Sequence, residues 1–194
     1  MLRPVVMFAV VAFVPSLGVP QTPREVGTAG PDFHVQVWGE RDGDFTARVG
    51  RYFELRQRLQ SALPALIVTN DVRQIRRGTQ SLANAIRAAR PGAAQGEFFT
   101  VGTSAEFKRI LARMMNATLW AAIMDDNPGA FPLEIDATYA EGQPHATTPG
   151  TILARLPRLP DDIEFRFVGR HLILFDVRAN TIIDRLPDAI PRRR

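Results

Sequence analysis

Apolar positions along this chain change their spacing once. From residue 44 to about residue 124 they recur every three or four residues, the period of an amphipathic helix. From about residue 131 onward they alternate, the period of a strand. The first regime predicts three helices. Phe45, Val49, Tyr52, Leu59 and Leu63 share one face of a helix over 44–63, with Asp44 as its cap and Pro64 as its stop. Val72, Ile75, Leu82 and Ile86 form the stripe of a helix over 71–90, capped by Asn70 or Asp71 and ended by Pro91-Gly92. Phe107, Ile110, Leu111, Met114 and Met115 form the stripe of a helix over 104–116, with Thr103 and Glu106 as a capping box. A further turn or two runs from Leu119 to Met124 and ends before Asn127-Pro128-Gly129.

The second regime predicts strands. Phe131 to Tyr139 alternates, with Phe131, Leu133, Ile135 and Ala137 on one side. Glu141 to Pro144 reads as a turn, and Thr148-Pro149 as the start of a short helix through Arg155. Three strands follow at 163–168, 171–176 and 181–186. Gly169-Arg170 links the first pair as a type II′ turn, and Asn180 takes positive φ in the second link. That register places Phe167 opposite Leu172, Phe165 opposite Leu174, Asp176 opposite Thr181 and Leu174 opposite Ile183. One sheet face then carries Ile163, Phe165, Phe167, Leu172, Leu174 and Ile183 and packs on the helices. The other carries Glu164, Arg166, Val168, His171, Ile173, Phe175, Ile182 and Asp184. Because a slip of one residue exchanges the faces, the turns decide the assignment. Helices first and strands after imply an α+β fold: three or four N-terminal helices on one face of a small C-terminal antiparallel β-meander. The expected division is an extended arm over 21–43, then one domain over 44–194, helical to 124 and sheet from 125.

The first residues do not belong to this pattern. Arg3 precedes ten apolar residues, Val5 to Val14; Pro15 breaks the run and Ser16-Leu17-Gly18 supplies small side chains. This is the layout of a secretory signal peptide over residues 1–20, cut near residues 18–20, and the run is half the length a membrane-spanning helix needs. The expected location is periplasmic or secreted, with no transmembrane segment in the mature chain. In the arm, Phe33 to Trp38 alternates as a short strand.

Composition narrows the chemistry. There is no cysteine, which removes thiol catalysis, thiolate metal sites and lipid attachment through cysteine, and in an exported chain favours a bacterial source. The charge is +4, spread along the chain and carried almost wholly by arginine, with Lys108 the single lysine. A weak, dispersed charge without interleaved aromatics argues against nucleic acid as a partner.

No motif supplies a catalytic residue, cofactor or metal site. Gly102-Thr103-Ser104-Ala105-Glu106 lacks the second glycine of a nucleophile elbow. The histidines, His34, His145 and His171, lie in separate segments, without the local spacing of a metal pair. Asp125-Asp126 and Asp161-Asp162 fit chain reversals better than acid–base work. Asn116-Ala117-Thr118 matches a glycosylation sequon, which means little in a bacterial chain. What stands out is the mixed sheet face: Arg166, Val168, His171, Ile173, Phe175, Ile182 and Asp184 form a candidate interaction face, with an Arg166–Asp184 ion pair feasible over Ile173. Burial of this face by the arm with Trp38, or by a second copy of the chain, is the competing expectation.

The segment Phe165 to Ile190 (FRFVGRHLILFDVRANTIIDRLPDAI), with Ala88 to Ala93, Asp126 to Gly129 and Glu141 to Pro144, resembles a group of exported bacterial proteins of unknown function. That resemblance implies export and no particular activity. The terminal meander also resembles small periplasmic regulators of nickel and cobalt efflux, without their metal ligands. Three functions fit these observations: a non-catalytic envelope module that binds a partner or itself, an envelope hydrolase whose site follows no motif, and a periplasmic metal-binding or sensing protein.

Overall fold

Residues 40–64 and 70–192 are described in the computed structural model, and within them five helices precede a three-stranded sheet. The expected signal peptide, and the arm to residue 39 with its Phe33–Trp38 strand, lie outside the described residues.

Helix α1 spans Glu40–Ala62 and so begins one turn before Asp44. Asp44 is not its cap; the carboxylate accepts from Nε of Arg48 at 3.0 Å, one turn further on. The expected stripe is buried at Phe45, Val49 and Tyr52, and Leu59 and Leu63 pack at its margin. The same stripe also carries Arg56, which is buried. Helix α2 spans Val72–Ala89, and Asp71 caps it by accepting from the Arg73 N–H. Leu82 and Ile86 enter the core, but Val72 and Ile75 are 58% and 49% exposed, so only the C-terminal half of this stripe is internal.

Helix α3 spans Val101–Met114 and begins three residues earlier than expected. Thr100, not Thr103, is the cap: its hydroxyl accepts from the Thr103 N–H. Ser104 donates to the Phe99 carbonyl oxygen at 2.7 Å, and Glu106 pairs with Arg109 instead of reaching back. Helix α4 spans Ala117–Met124, with Asn116 accepting from the Leu119 N–H at 2.8 Å. The asparagine of the sequon is therefore a helix cap. Helix α5, Gly150–Leu153, is a single turn whose N-cap is Pro149. Thr148 is turned inward and donates to the Phe165 carbonyl oxygen at 2.6 Å.

The sheet follows the expected boundaries: β1 Ile163–Val168, β2 His171–Asp176 and β3 Thr181–Leu186, antiparallel in the order β1-β2-β3. Phe165 pairs with Leu174, Phe167 with Leu172 and Asp176 with Thr181. Gly169 has φ +56° and Asn180 +49°, as the two links require. A Cβ on Gly169 would also meet the Gly129 carbonyl oxygen at 3.4 Å. Here the Asn127 side chain clamps the link, donating to Gly169 O and accepting from Gly169 N.

One pairing departs from expectation. Leu174 lies opposite Asp184, not Ile183, because a bulge opens between Leu174 and Phe175. Ile183 is the extra residue and stays in the helix-side core, while Asp184 moves to that side as well. The helices thus pack on one sheet face in an α+β fold. At the centre Phe107 meets Phe45 and Phe99 at 5.2 Å and Phe165 at 5.6 Å between ring centroids.

The expected strand over 131–139 does not form. The segment turns at Ile135-Asp136, with Asp136 at φ +56°, and touches β3 through one bridge, Thr138 to Thr181. Its buried residues are Leu133, Asp136 and Tyr139, every third position, so the apparent alternation did not describe its packing. Three backbone hydrogen bonds still run along the edge of β3: Asp136 N–H to Ile182 O, Ile182 N–H to Ala137 O and Tyr139 N–H to Asn180 O. The segment covers the second sheet face, where Leu133 and Tyr139 bury Val168, Ile173, Phe175 and Ile182. Among the described residues, no helix is long and apolar enough to cross a membrane.

Candidate functional site

The candidate interaction face is closed at its apolar residues. Val168, Ile173, Phe175 and Ile182 are at most 1% exposed beneath the 131–139 segment. Asp184 is on the helix side, fully buried, where it accepts from the backbone N–H groups of Gly96, Phe98 and Phe99 at 2.8–2.9 Å. It pins the loop before α3 and cannot pair with Arg166. His171 accepts at Nδ1 from the Asp188 N–H at 3.2 Å, and burial holds its pKa below the usual value. Arg166 and Phe175 of this set line a cavity.

That cavity is a groove of about 660 Å³ between α2 and the 138–145 segment. Each wall has a local cause. Helix α2 turns Ile75, Thr79 and Gln80 toward it, the half of the helix left free of the core. Its far end holds the opposite wall: Arg87 donates to the Asp136 carbonyl oxygen at 3.1 Å and Arg90 ion-pairs with the Asp136 carboxylate. Burial raises the pKa of that carboxyl, and Arg90 offsets part of the effect. The turn at Glu141-Gly142, with Gly142 at φ +80°, brings His145 back over Tyr139. The two rings stack at 4.6 Å with an interplanar angle of 22°, and Phe175 lies edge-on to Tyr139.

Arg166 is the main charged group of the floor. Its guanidinium lies 4.7 Å over the Phe175 ring, a cation–π placement. Nε and Nη2 both point to one Glu164 oxygen, at 2.9 and 2.7 Å, while Nη1 is buried without a hydrogen-bond partner. A buried donor left unpaired costs about 1–3 kcal/mol, more when charged. His145 has its pKa lowered by burial and by the Arg166 charge, so it is neutral at pH 7. Burial raises the pKa of Tyr139. The Tyr139 hydroxyl donates to the Pro144 carbonyl oxygen at 2.9 Å and not to His145, so this pair is not a nucleophile and its base. His145 and Arg166 also border a second groove of about 490 Å³ beside β1, lined by Thr148, Leu153, Leu159 and Ile163.

Other titratable groups serve the fold. Arg56 reaches Asp162 and Asp176 at 3.6 and 3.7 Å and donates to the Asp161 carbonyl oxygen. Asp176 is fully buried and accepts from the Tyr52 hydroxyl at 2.9 Å. Burial raises the pKa of Asp176, and burial together with the Asp176 charge raises that of Tyr52. Asp162 is held low by the Arg178 hydrogen bond. Among the described residues no three His, Asp or Glu side chains gather as a metal site would require.

The sequence reading reached Arg166 and Phe175 but missed Tyr139, His145, Thr79 and Gln80 as neighbours. The Glu141 to Pro144 turn was the available signal, because a reversal there must bring His145 back toward Tyr139. No protein-family model, curated protein or solved structure matches the chain. The reading of the site rests on its geometry.

Proposed function

We propose that this chain is an exported, non-catalytic binding module whose ligand occupies the groove between α2 and the 138–145 segment. The observation that carries the reading is the convergence of Arg166, His145, Thr79 and Gln80 on a groove whose apolar lining includes Phe175, Ile75 and Val177. Ligand sites typically measure about 300–1,000 Å³ and combine such a lining with a few placed polar groups. Export is supported by the charged, apolar and small-residue succession of the first twenty residues. Docking through the second sheet face has lost its basis, because the chain's own residues 131–139 cover it.

Amide NMR tests the groove directly. The protein is titrated with a panel of monosaccharides, amino acids, short carboxylic acids and their amides. Shifts clustered at Thr79, Gln80, Thr138 and Asn180 support the reading. A panel in which no member moves those amides overturns it. N-terminal sequencing of the protein recovered outside the cytoplasm tests export: a first residue between about 18 and 21 is expected, and an intact Met1 overturns it.

A further inference from the structure

The unpaired nitrogen of Arg166 narrows the ligand class, and the inference rests on the groove being a binding site. A guanidinium carries five N–H groups in a fixed fork. In Arg166 two nitrogens converge on one Glu164 oxygen and the third, Nη1, has no acceptor. Its side chain is 14% exposed, and its guanidinium lies over the Phe175 ring. The competing acceptor is weakly held: Glu164 is half exposed, beside the second groove, where an ion pair contributes little.

Charge and shape point the same way. The groove is lined by two arginines, Arg76 and Arg166, against one carboxylate, Glu141. Glu141 and Arg76 pair at 2.9 Å, and both are largely exposed, so either can be drawn aside cheaply. Beside these charges the groove presents Ile75, 49% exposed, and Val177, 38% exposed. Exposed aliphatic side chains on a cavity wall suit the apolar part of a ligand.

We infer that the groove binds an apolar carboxylic acid, its carboxylate received by Arg166 and its hydrocarbon part laid against Ile75 and Val177. The carboxylate completes the Arg166 fork in the paired geometry that guanidinium and carboxylate share. Because Nη1 is covered by protein atoms, the guanidinium must rotate partly off Glu164 to meet it. A free fatty or aromatic acid and the C-terminus of a peptide ending in an apolar residue present the same chemistry.

The test uses matched probes on the full chain: hexanoate against hexanamide, phenylacetate against phenylacetamide, and N-acetyl-alanyl-phenylalanine against its C-terminal amide. Binding is followed by the amide shifts of Thr79, Gln80 and Asn180. Each acid that binds should do so at least about tenfold more tightly than its amide, as loss of one charge-assisted bond implies. Preference for the peptide acid identifies a peptide C-terminus as the source, and preference for the simple acids identifies a free acid. Arg166→Gln should lower acid affinity by about tenfold or more and lower amide affinity by less, so that the acid–amide difference shrinks. Amides that bind as well as acids overturn the inference and leave the groove reading standing. So does acid binding indifferent to Arg166→Gln, or a sugar that moves the groove amides when no acid does. Failure of every probe and every panel member removes both. The acid–amide comparison in the unaltered protein decides the matter even if Arg166→Gln does not fold.

Discussion

The apolar residues on the two faces of the sheet are buried equally well but by different means. On the first, β1–β3 meet regular helices, and the contact is a cluster of phenylalanines around Phe107. On the second, the same strands meet an irregular segment that is neither helix nor strand, held by two backbone hydrogen bonds to β3 and one to Asn180 and by Arg87 of α2 and its C-cap Arg90. Helices bury a sheet through side-chain stripes that recur with a fixed period. An irregular cover buries it through a few residues placed by bonds from distant parts of the chain. The groove lies at the margin of the second cover, where the loop has latitude that a helix would not have. Binding sites are disproportionately found on such loops over rigid scaffolds.

Truncations on the two faces test the contrast most severely. Phe107→Ala removes the ring at the meeting point of three others and should lower unfolding free energy in urea by about 3–5 kcal/mol. Leu133→Ala, in the irregular cover, should cost about 2 kcal/mol, because a loosely held segment can collapse into the space left. Equal costs would mean that the second cover is as rigid as the helical one.

Asp184→Asn probes the bulge that brought a carboxylate to the helix side. It weakens a charged acceptor of four backbone N–H groups and should cost about 2–3 kcal/mol. Hydrogen exchange should show the Phe98 and Phe99 amides losing protection first. Unchanged protection there would place Asp184 elsewhere.

Asp176 gives a pH signature to the buried cluster on α1. Its folded-state pKa is raised by burial above the ordinary 3.8, so its contribution to stability is present below that pH. The contribution is lost as pH rises from 3.8 through the folded value. Asp176→Asn removes this dependence. The stability of the variant relative to the parent should therefore rise between pH 3 and pH 7, and a flat difference would contradict the burial argument.

The smallest effect is expected at Ile75. Half exposed on the free part of α2, it should tolerate Ile75→Ser within about 0.5 kcal/mol, whereas the same change at Ile86 would be severe. If Ile75→Ser destabilises strongly, the N-terminal half of α2 is buried against something beyond the groove.

Sequence reading succeeded where the rule is local. The three strands, both hairpin links, a cap for α2 at Asn70 or Asp71 (it is Asp71) and the α3 stripe all depend on residues within one or two turns of each other. It shifted the starts of α1 and α3, because Gly43, Val101 and Gly102 carry no apolar stripe yet continue a helix once their neighbours are packed. It also passed over Arg56, although the residue lies on the same helical face as Val49, Tyr52 and Leu59. A charge at a core spacing signals a buried ion pair, and the partners, Asp162 and Asp176, lie more than a hundred residues away.

By itself, then, the sequence determined the order of helices and strands, the meander and its first hairpin, and the apolar residues that face the helices. These follow from periods of 3.6 and 2.0 and from the φ values that Gly169 and Asn180 can adopt. Tertiary structure alone decided the bulge at Ile183, the side on which Asp184 lies, and the irregular cover over the second face. It also decided the meeting of Arg166, His145 and α2 at the groove. Each of those rests on hydrogen bonds or ring contacts between residues far apart in the chain, such as Asp184 with Phe98 across 86 positions. No local period encodes such a contact; it exists only once the chain has folded and its buried polar groups have found partners.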